Sequence, residues 1–156
     1  MQTTNMKTNL ILTTIAVTAA TATAREIALD QCPQPVRATI EANARGQLVD
    51  EIDWGTRDGR DVYVAEIDLP GDLDLKIHVA PDGQLLKIRE ELVLADAPQE
   101  IRSALSTFEG TVDDLTRETE GSNVTYVAEI DRRGQPDLKL VLDAAGRVTR
   151  QYEDRD

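Results

Sequence analysis

The chain has 156 residues, 29 of them acidic and 17 basic, for a formal net charge of −12. It carries no basic stripe to release counterions from nucleic-acid phosphates or to bind an anionic membrane surface, so the charge favours a cationic or neutral partner. Hydrophobic residues make up 40% of the chain but aromatic ones only 3%, so a core can form and must be aliphatic.

In chain order, Lys7 supplies positive charge ahead of a short apolar run from Leu10 to Ala20, and Ala22-Thr23-Ala24 supplies small residues in small-x-small order. That is the pattern of a secretory signal cleaved after Ala24, and the run is too short to span a bilayer. Residues 1–24 are therefore read as a signal peptide, with periplasmic or secreted destination and no membrane insertion after its removal. The fold is read from residue 25 onward. Cys32 is then the one cysteine and can form no internal disulfide. Leu29-Asp30-Gln31 before it is not the small apolar setting of lipoprotein processing, so Cys32 is read as a buried structural thiol.

The six residues Tyr63-Val64-Ala65-Glu66-Ile67-Asp68 occur again as Tyr126-Val127-Ala128-Glu129-Ile130-Asp131. Gly71, Asp74-Leu75-Lys76 and Gly83 match Gly134, Asp137-Leu138-Lys139 and Gly146 at the same offset. This reads as a duplication, with copies at 25–92 and 93–156. Each copy opens with a helix, from Pro33 to about Ala44 and from Pro98 onward, with apolar residues four apart at Val36 and Ile40, and at Ile101 and Leu105. Asp96 is placed to cap the second helix, with Pro98 at its first position and Gln99 closing a capping box; Gly46 and Gly110 end the helices.

Four strands follow each helix, near 48–54, 61–68, 73–80 and 84–91, then near 111–119, 123–131, 136–143 and 147–153. Asp58-Gly59, Asp82-Gly83, Gly121 and Ala145-Gly146 mark the turns between them. Alternation puts Tyr63, Ala65, Ile67, Leu75, Ile77 and Val79 on one side, with Leu138, Leu140 and Leu142 as counterparts. The opposite side is polar and open, a pattern of antiparallel sheets. The expected fold is α+β: two tandem repeats, each one helix followed by a four-stranded antiparallel sheet. The Leu-Val-Leu-rich join from Glu91 to Ala95 looks packed and not like a flexible tether.

A helix with a Pro-Gln start, then Tyr63 and Glu66 on a strand, Leu75-Lys76 on the next and an Asp82-Gly83 turn, resembles the PepSY-like domains of bacterial envelope proteins, also described as beta-lactamase-inhibitor-like repeats. Pro98, Ile101, Tyr126, Glu129, Leu138, Lys139 and Gly146 carry the resemblance in the second copy, where Ala145 replaces the Asp82 of the first. The resemblance covers nearly all of 25–156. It implies an exported α+β repeat protein that binds or inhibits other proteins, with no catalytic residues to carry over.

The residues themselves offer little chemistry. Cys32 and His78 fall on different elements, and a Cys–His nucleophile needs hydrogen-bond contact. His78 corresponds to Val141 and reads as a surface residue of the open face. Metal-ligand spacing for zinc is absent. Asp68-x-x-Gly71-Asp72-x-Asp74 is acidic and turn-rich but lacks the EF-hand pattern. No cofactor, metal or catalytic residue is expected. Asn123-Val124-Thr125 is a glycosylation acceptor only in a eukaryotic secretory pathway. Trp54, the one tryptophan, either packs under the first helix or stands as an exposed anchor.

The expected function is a non-catalytic binding or inhibitor-like module, with a protein partner on the open polar face. The candidate contact residues are Glu66, Asp68, Asp74, Lys76 and His78, with Glu129, Asp131, Asp137 and Lys139 as their repeat. The alternative is a calcium- or other cation-binding envelope protein.

Overall fold

A computed structural model describes residues 25–57 and 59–154, the side chain of Asp154 excepted. The signal-peptide reading of 1–24 lies outside those residues. The elements run β1 (Arg25–Glu26), a 3-10 turn (Leu29–Gln31), α1 (Gln34–Asn43), β2 (Glu51–Arg57), β3 (Arg60–Leu69), β4 (Leu73–Val79) and β5 (Leu85–Glu91). A second 3-10 turn (Leu94–Asp96) then leads to α2 (Gln99–Leu105), β6 (Thr111–Glu120), β7 (Asn123–Asp131), β8 (Asp137–Asp143) and β9 (Val148–Asp154).

The eight longer strands fall close to their predicted positions, but the predicted architecture is wrong. There are not two helix-plus-four-strand units with separate sheets. One antiparallel sheet of nine strands runs in sequence order from β1 to β9. Its continuity comes from β5 and β6, which pair from Ile88 opposite Thr119 to Glu91 opposite Thr116, and Leu92 extends the contact by donating its N–H to the Leu115 carbonyl at 2.8 Å. The physical reason is edge satisfaction: two separate sheets would leave β5 and β6 each with a row of unpaired backbone groups, and pairing removes both rows at once. Alternation within a strand reports which face is buried and is silent about which strand lies next door, so hydropathy did not reveal this pairing.

Each half of the sheet carries its own aliphatic core beneath one helix. Val36 and Ile40 of α1 cover Tyr63, Ala65, Ile67, Leu75, Ile77 and Val79, all buried. Ile101 and Leu105 of α2 cover Leu115, Tyr126, Ala128, Ile130, Leu138, Leu140 and Leu142. Cys32 is buried in the first of these clusters, where burial pushes its thiol pKa up. The helix termini differ from the reading of the sequence. Pro33 and Pro98 are themselves the N-caps, with no side-chain cap bond, while Asp96 closes the preceding 3-10 turn. The second helix stops at Leu105, five residues before Gly110.

The hairpins ending β4 and β8 press directly on the helices. Gly83 has φ +89°, and a Cβ there would lie 2.6 Å from Pro35 Cβ; Gly146 has φ +77°, and a Cβ there would lie 2.6 Å from the Glu100 carbonyl oxygen. Only glycine meets both the backbone and the space requirement. Thr39 Oγ1 completes the first contact by donating to the Gly83 carbonyl at 2.6 Å.

Between the two cores, still on the helix side, lies an ion network. Glu90 of β5 accepts from Arg45 Nη1 at 2.7 Å and Nη2 at 2.9 Å, and from Arg117 Nη2 of β6. Glu90 is 8% exposed. The Arg45 hydrogen bonds hold its carboxyl below the usual carboxylate range, against the opposing effect of burial. Arg45 itself sits just past α1 with φ +56°, so this network ties the helix end to the β5–β6 seam.

Candidate functional site

Among the described residues no helix covers the other side of the sheet. The pleat puts the even-numbered residues of β3 and β4, the odd-numbered ones of β7 and β8, and their cross-strand partners on this open side. Register then sets the pairs. Glu66 faces Lys76 and the two are joined at 3.0 Å; Asp68 faces Asp74; Glu129 faces Lys139, joined at 3.4 Å. Asp131 is exposed at the end of β7, opposite Thr111, and Asp137 begins β8. The candidate residues thus form two groups, one on β3–β4 and one on β7–β8, separated by β5 and β6. At the usual strand spacing, β4 and β7 are about 14 Å apart.

The residues that fill this gap were missed from the sequence. Lys76 faces Arg89 and His78 faces Lys87 on β5; Arg89 in turn faces Glu118 on β6. Arg89 Nε lies 2.9 Å from Glu118 Oε1, and Lys87 Nζ lies 3.6 Å from Glu118 and 2.7 Å from Glu120. Burial opposes the charge on Lys87, but its bond to Glu120 and the nearby Glu118 outweigh that and raise its pKa. Near the middle of the sheet the signs of the open face alternate in bands: Glu51, Asp53 and Glu66 on β2–β3, Lys76, Lys87 and Arg89 on β4–β5, Asp114, Glu118, Glu120 and Glu129 on β6–β7, then Lys139 and Arg150 on β8–β9; Arg57, Asp74, Glu91 and Asp137 break the pattern. Alternation marked β5 and β6 as strands but carried no signal of their pairing, since Glu90 beside Arg89 and Arg117 beside Glu118 blur the polar period on both.

His78 is not the simple surface residue expected. Its Nε2 is buried and has no hydrogen-bond partner among the described residues. Burial, then the positive charges of Lys87, Arg57, Arg89 and Lys76, lower its pKa to about 4. At neutral pH it is an uncharged ring among cations. Nor is the face wholly polar, since Val62 and Val64 of β3 are buried on it. Trp54 resolves on the helix side of the sheet, where its ring stacks on Tyr63 at 6.2 Å between centroids and remains 36% exposed.

Across β5–β9 the open face forms a groove of about 710 Å³. Val127 and Val141, cross-strand partners, make its floor; Thr116, Thr125 and Glu129 line it, and Arg150 and Tyr152 of β9 bound it. A smaller hollow of about 180 Å³ lies over β2–β5, lined by Glu51, Asp53, Arg57, Glu66, Lys76 and His78. Cys32 belongs to the core under α1 while His78 faces the open side, so the sheet itself separates the two. Among the described residues no group of three His, Cys, Asp or Glu is placed to hold a metal ion, and no helix is long and apolar enough to cross a membrane.

No family model matches the chain, and no curated protein does. Solved structures do match. A protein described as periplasmic from Bacteroides eggerthii superposes with TM-score 0.64 at 19% identity, covering 78% of this chain and 88% of that one. A DUF2874 family protein from Bacteroides ovatus gives TM-score 0.64 at 16% identity, covering 80% and 89%. A BLIP-like protein from Bacteroides fragilis gives TM-score 0.62 at 15% identity, covering 80% and 89%. At these identities the likeness establishes the fold, which is the BLIP-like, beta-lactamase-inhibitor-like one.

Proposed function

We propose that the chain is an exported, non-catalytic binding module of the bacterial envelope, of the PepSY-like kind, that holds a protein partner against the open face of its sheet. The observation that carries this reading is the groove itself. A sheet face uncovered by helices, with an aliphatic floor at Val127 and Val141 and a striped charged rim, offers a partner both apolar contact and charge register. Export is supported by the signal pattern ending at Ala24 and by the structural neighbour described as periplasmic. A non-catalytic role is supported by the separation of Cys32 from His78, and a binding role by the BLIP-like neighbour. Glu66, Asp68, Asp74, Lys76 and His78, and Glu129, Asp131, Asp137 and Lys139, are the contact residues in this reading, with Arg89, Glu118, Arg150 and Tyr152 added from the register.

The test uses a partner recovered from the native envelope fraction, measured against the purified protein. Charge reversal at Glu66 and Glu129 together weakens binding and changes its salt dependence, while reversal at Glu41 on the exposed side of α1 leaves both unchanged. Binding that survives the double reversal and ignores salt refutes the sheet face as the site.

A further inference from the structure

The two edges of the sheet are unlike. At one end the described part of β1 is two residues long. At the other end β9 is seven residues long and has no neighbour on its outer side among the described residues. It contains neither proline nor lysine, two of the residues by which exposed edges are kept from pairing, and its charges, Arg150, Glu153 and Asp154, are of mixed sign. Its one register irregularity, opposite Val141 and Leu142, lies at its start and leaves Arg150–Asp154 regular. A row of backbone donors and acceptors is thus presented intact over those five positions.

We propose that this edge pairs with the same edge of a second copy, β9 against β9, antiparallel about a two-fold axis through Tyr152. The segment is self-complementary in that register. Arg150 of one copy falls opposite Asp154 of the other, residues of opposite formal charge, and Gln151 falls opposite Glu153; each pair occurs twice, as a two-fold interface requires. Tyr152, 45% exposed in the single chain, meets its own counterpart on the axis, where two rings stack at cross-strand distance. A strand of unrelated sequence would gain the backbone bonds without the paired charges.

The pairing has a consequence for the groove. Residues directly opposite in antiparallel strands point to the same side of a sheet, so both open faces lie on one side of the dimer. Arg150 and Tyr152 bound the groove at the edge of the single chain, and the second copy places its own Arg150 and Tyr152 next to them. The two grooves become one trough crossing the axis. The pairing itself does not depend on the partner-binding reading; only the use of the joined trough does.

Sedimentation equilibrium of the purified protein from micromolar to millimolar concentration tests the pairing, together with two variants. Wild type shows a concentration-dependent monomer–dimer equilibrium. Tyr152→Lys, which sets like charges against each other on the axis of an exposed position, weakens the dimer at least tenfold with an unchanged circular dichroism spectrum. Tyr152→Cys gives a covalent dimer on mild oxidation, while wild type, whose Cys32 is buried, does not. A monomer at every concentration overturns the proposal, as does a dimer that Tyr152→Lys leaves intact. Amide protection of β9 that arises only when a different protein is added also overturns it, by assigning the edge to a foreign strand.

Discussion

Replacing Glu90 by glutamine should weaken the protein by about 2 kcal/mol, and the figure can be built from the seam. Glu90 is 8% exposed and accepts three charged hydrogen bonds, two from Arg45 and one from Arg117. Stranding a charge in a fully buried pair costs about 3–5 kcal/mol. Here the stranded partners are the arginines, whose side chains are 47% and 38% exposed, so water rehydrates them and the cost falls well below that range. Glutamine keeps the shape and one acceptor, which trims it further. Arg45→Ala should cost less in the Glu90→Gln background than in wild type, by at least about 0.5 kcal/mol, because the two side chains act as one contact. Glu90 has a lowered pKa in the folded protein, so its contribution is present above the unfolded carboxylate pKa and lost as pH falls through the folded value. The gap between wild type and Glu90→Gln should therefore close in acid. The assay is urea unfolding followed in parallel by Trp54 fluorescence, which reports the first half of the sheet, and by far-ultraviolet circular dichroism, which reports all of it. The two curves should coincide for wild type, since one sheet crosses the seam. A neutral Glu90→Gln, or additive Arg45 and Glu90 effects, would refute the role assigned to the network.

Gly83→Ala and Gly146→Ala should each destabilise by more than about 1 kcal/mol, because strain at positive φ is joined by a clash with α1 or α2, whereas Gly71→Ala, with open space around it, should cost only the backbone strain; thermal melts of the three variants decide. Leu140→Ala, at 0% exposure in the second core, should cost about 2–5 kcal/mol, against well under 1 for Lys139→Ala beside it. His78 has a folded pKa of about 4 against 6.5 unfolded, so the unfolded chain binds more protons between those values and stability falls as pH drops through that window. With Lys76, Lys87, Arg57 and Arg89 around it, the loss should reach at most about 3 kcal/mol by pH 4, and less as far as solvent screens the ring. His78→Gln should flatten that window in urea titrations at stepped pH, and an unchanged slope would contradict the buried neutral ring.

The sequence showed what lies within each strand and little of what lies between strands. The period of two placed Leu75, Ile77, Leu138 and Leu140 under the helices correctly, because face selection is a local property of the pleat. The recurrence of Tyr-Val-Ala-Glu-Ile-Asp invited division into two units, each with its own sheet, and that is where the reading failed. The β5–β6 pairing rests on backbone groups that every residue carries, so no side-chain pattern announces it. Glu90 and Arg117 are informative in retrospect: each puts a charge on the core side of its strand, an arrangement that makes sense only once the two strands are neighbours. For the same reason Glu66–Lys76 and Glu129–Lys139 could be found from offsets within a repeat, while Arg89–Glu118, which crosses the seam, could not. His78 looked exposed by alternation, yet its Nε2 is buried, in a hollow it shares with Arg57 of β2, Val64 of β3, Lys76 of β4 and Arg89 of β5.

The proposed binding face is tested most directly by site-specific photocrosslinking in the native host. A photoreactive residue is placed at Thr125 in the groove, and separately at Glu41 on α1. The groove position should yield one discrete adduct with an envelope protein, lost on charge reversal at Glu66 and Glu129, and the helix position should yield none. Adducts from Glu41 with none from Thr125 would place the partner on the helices and contradict the account.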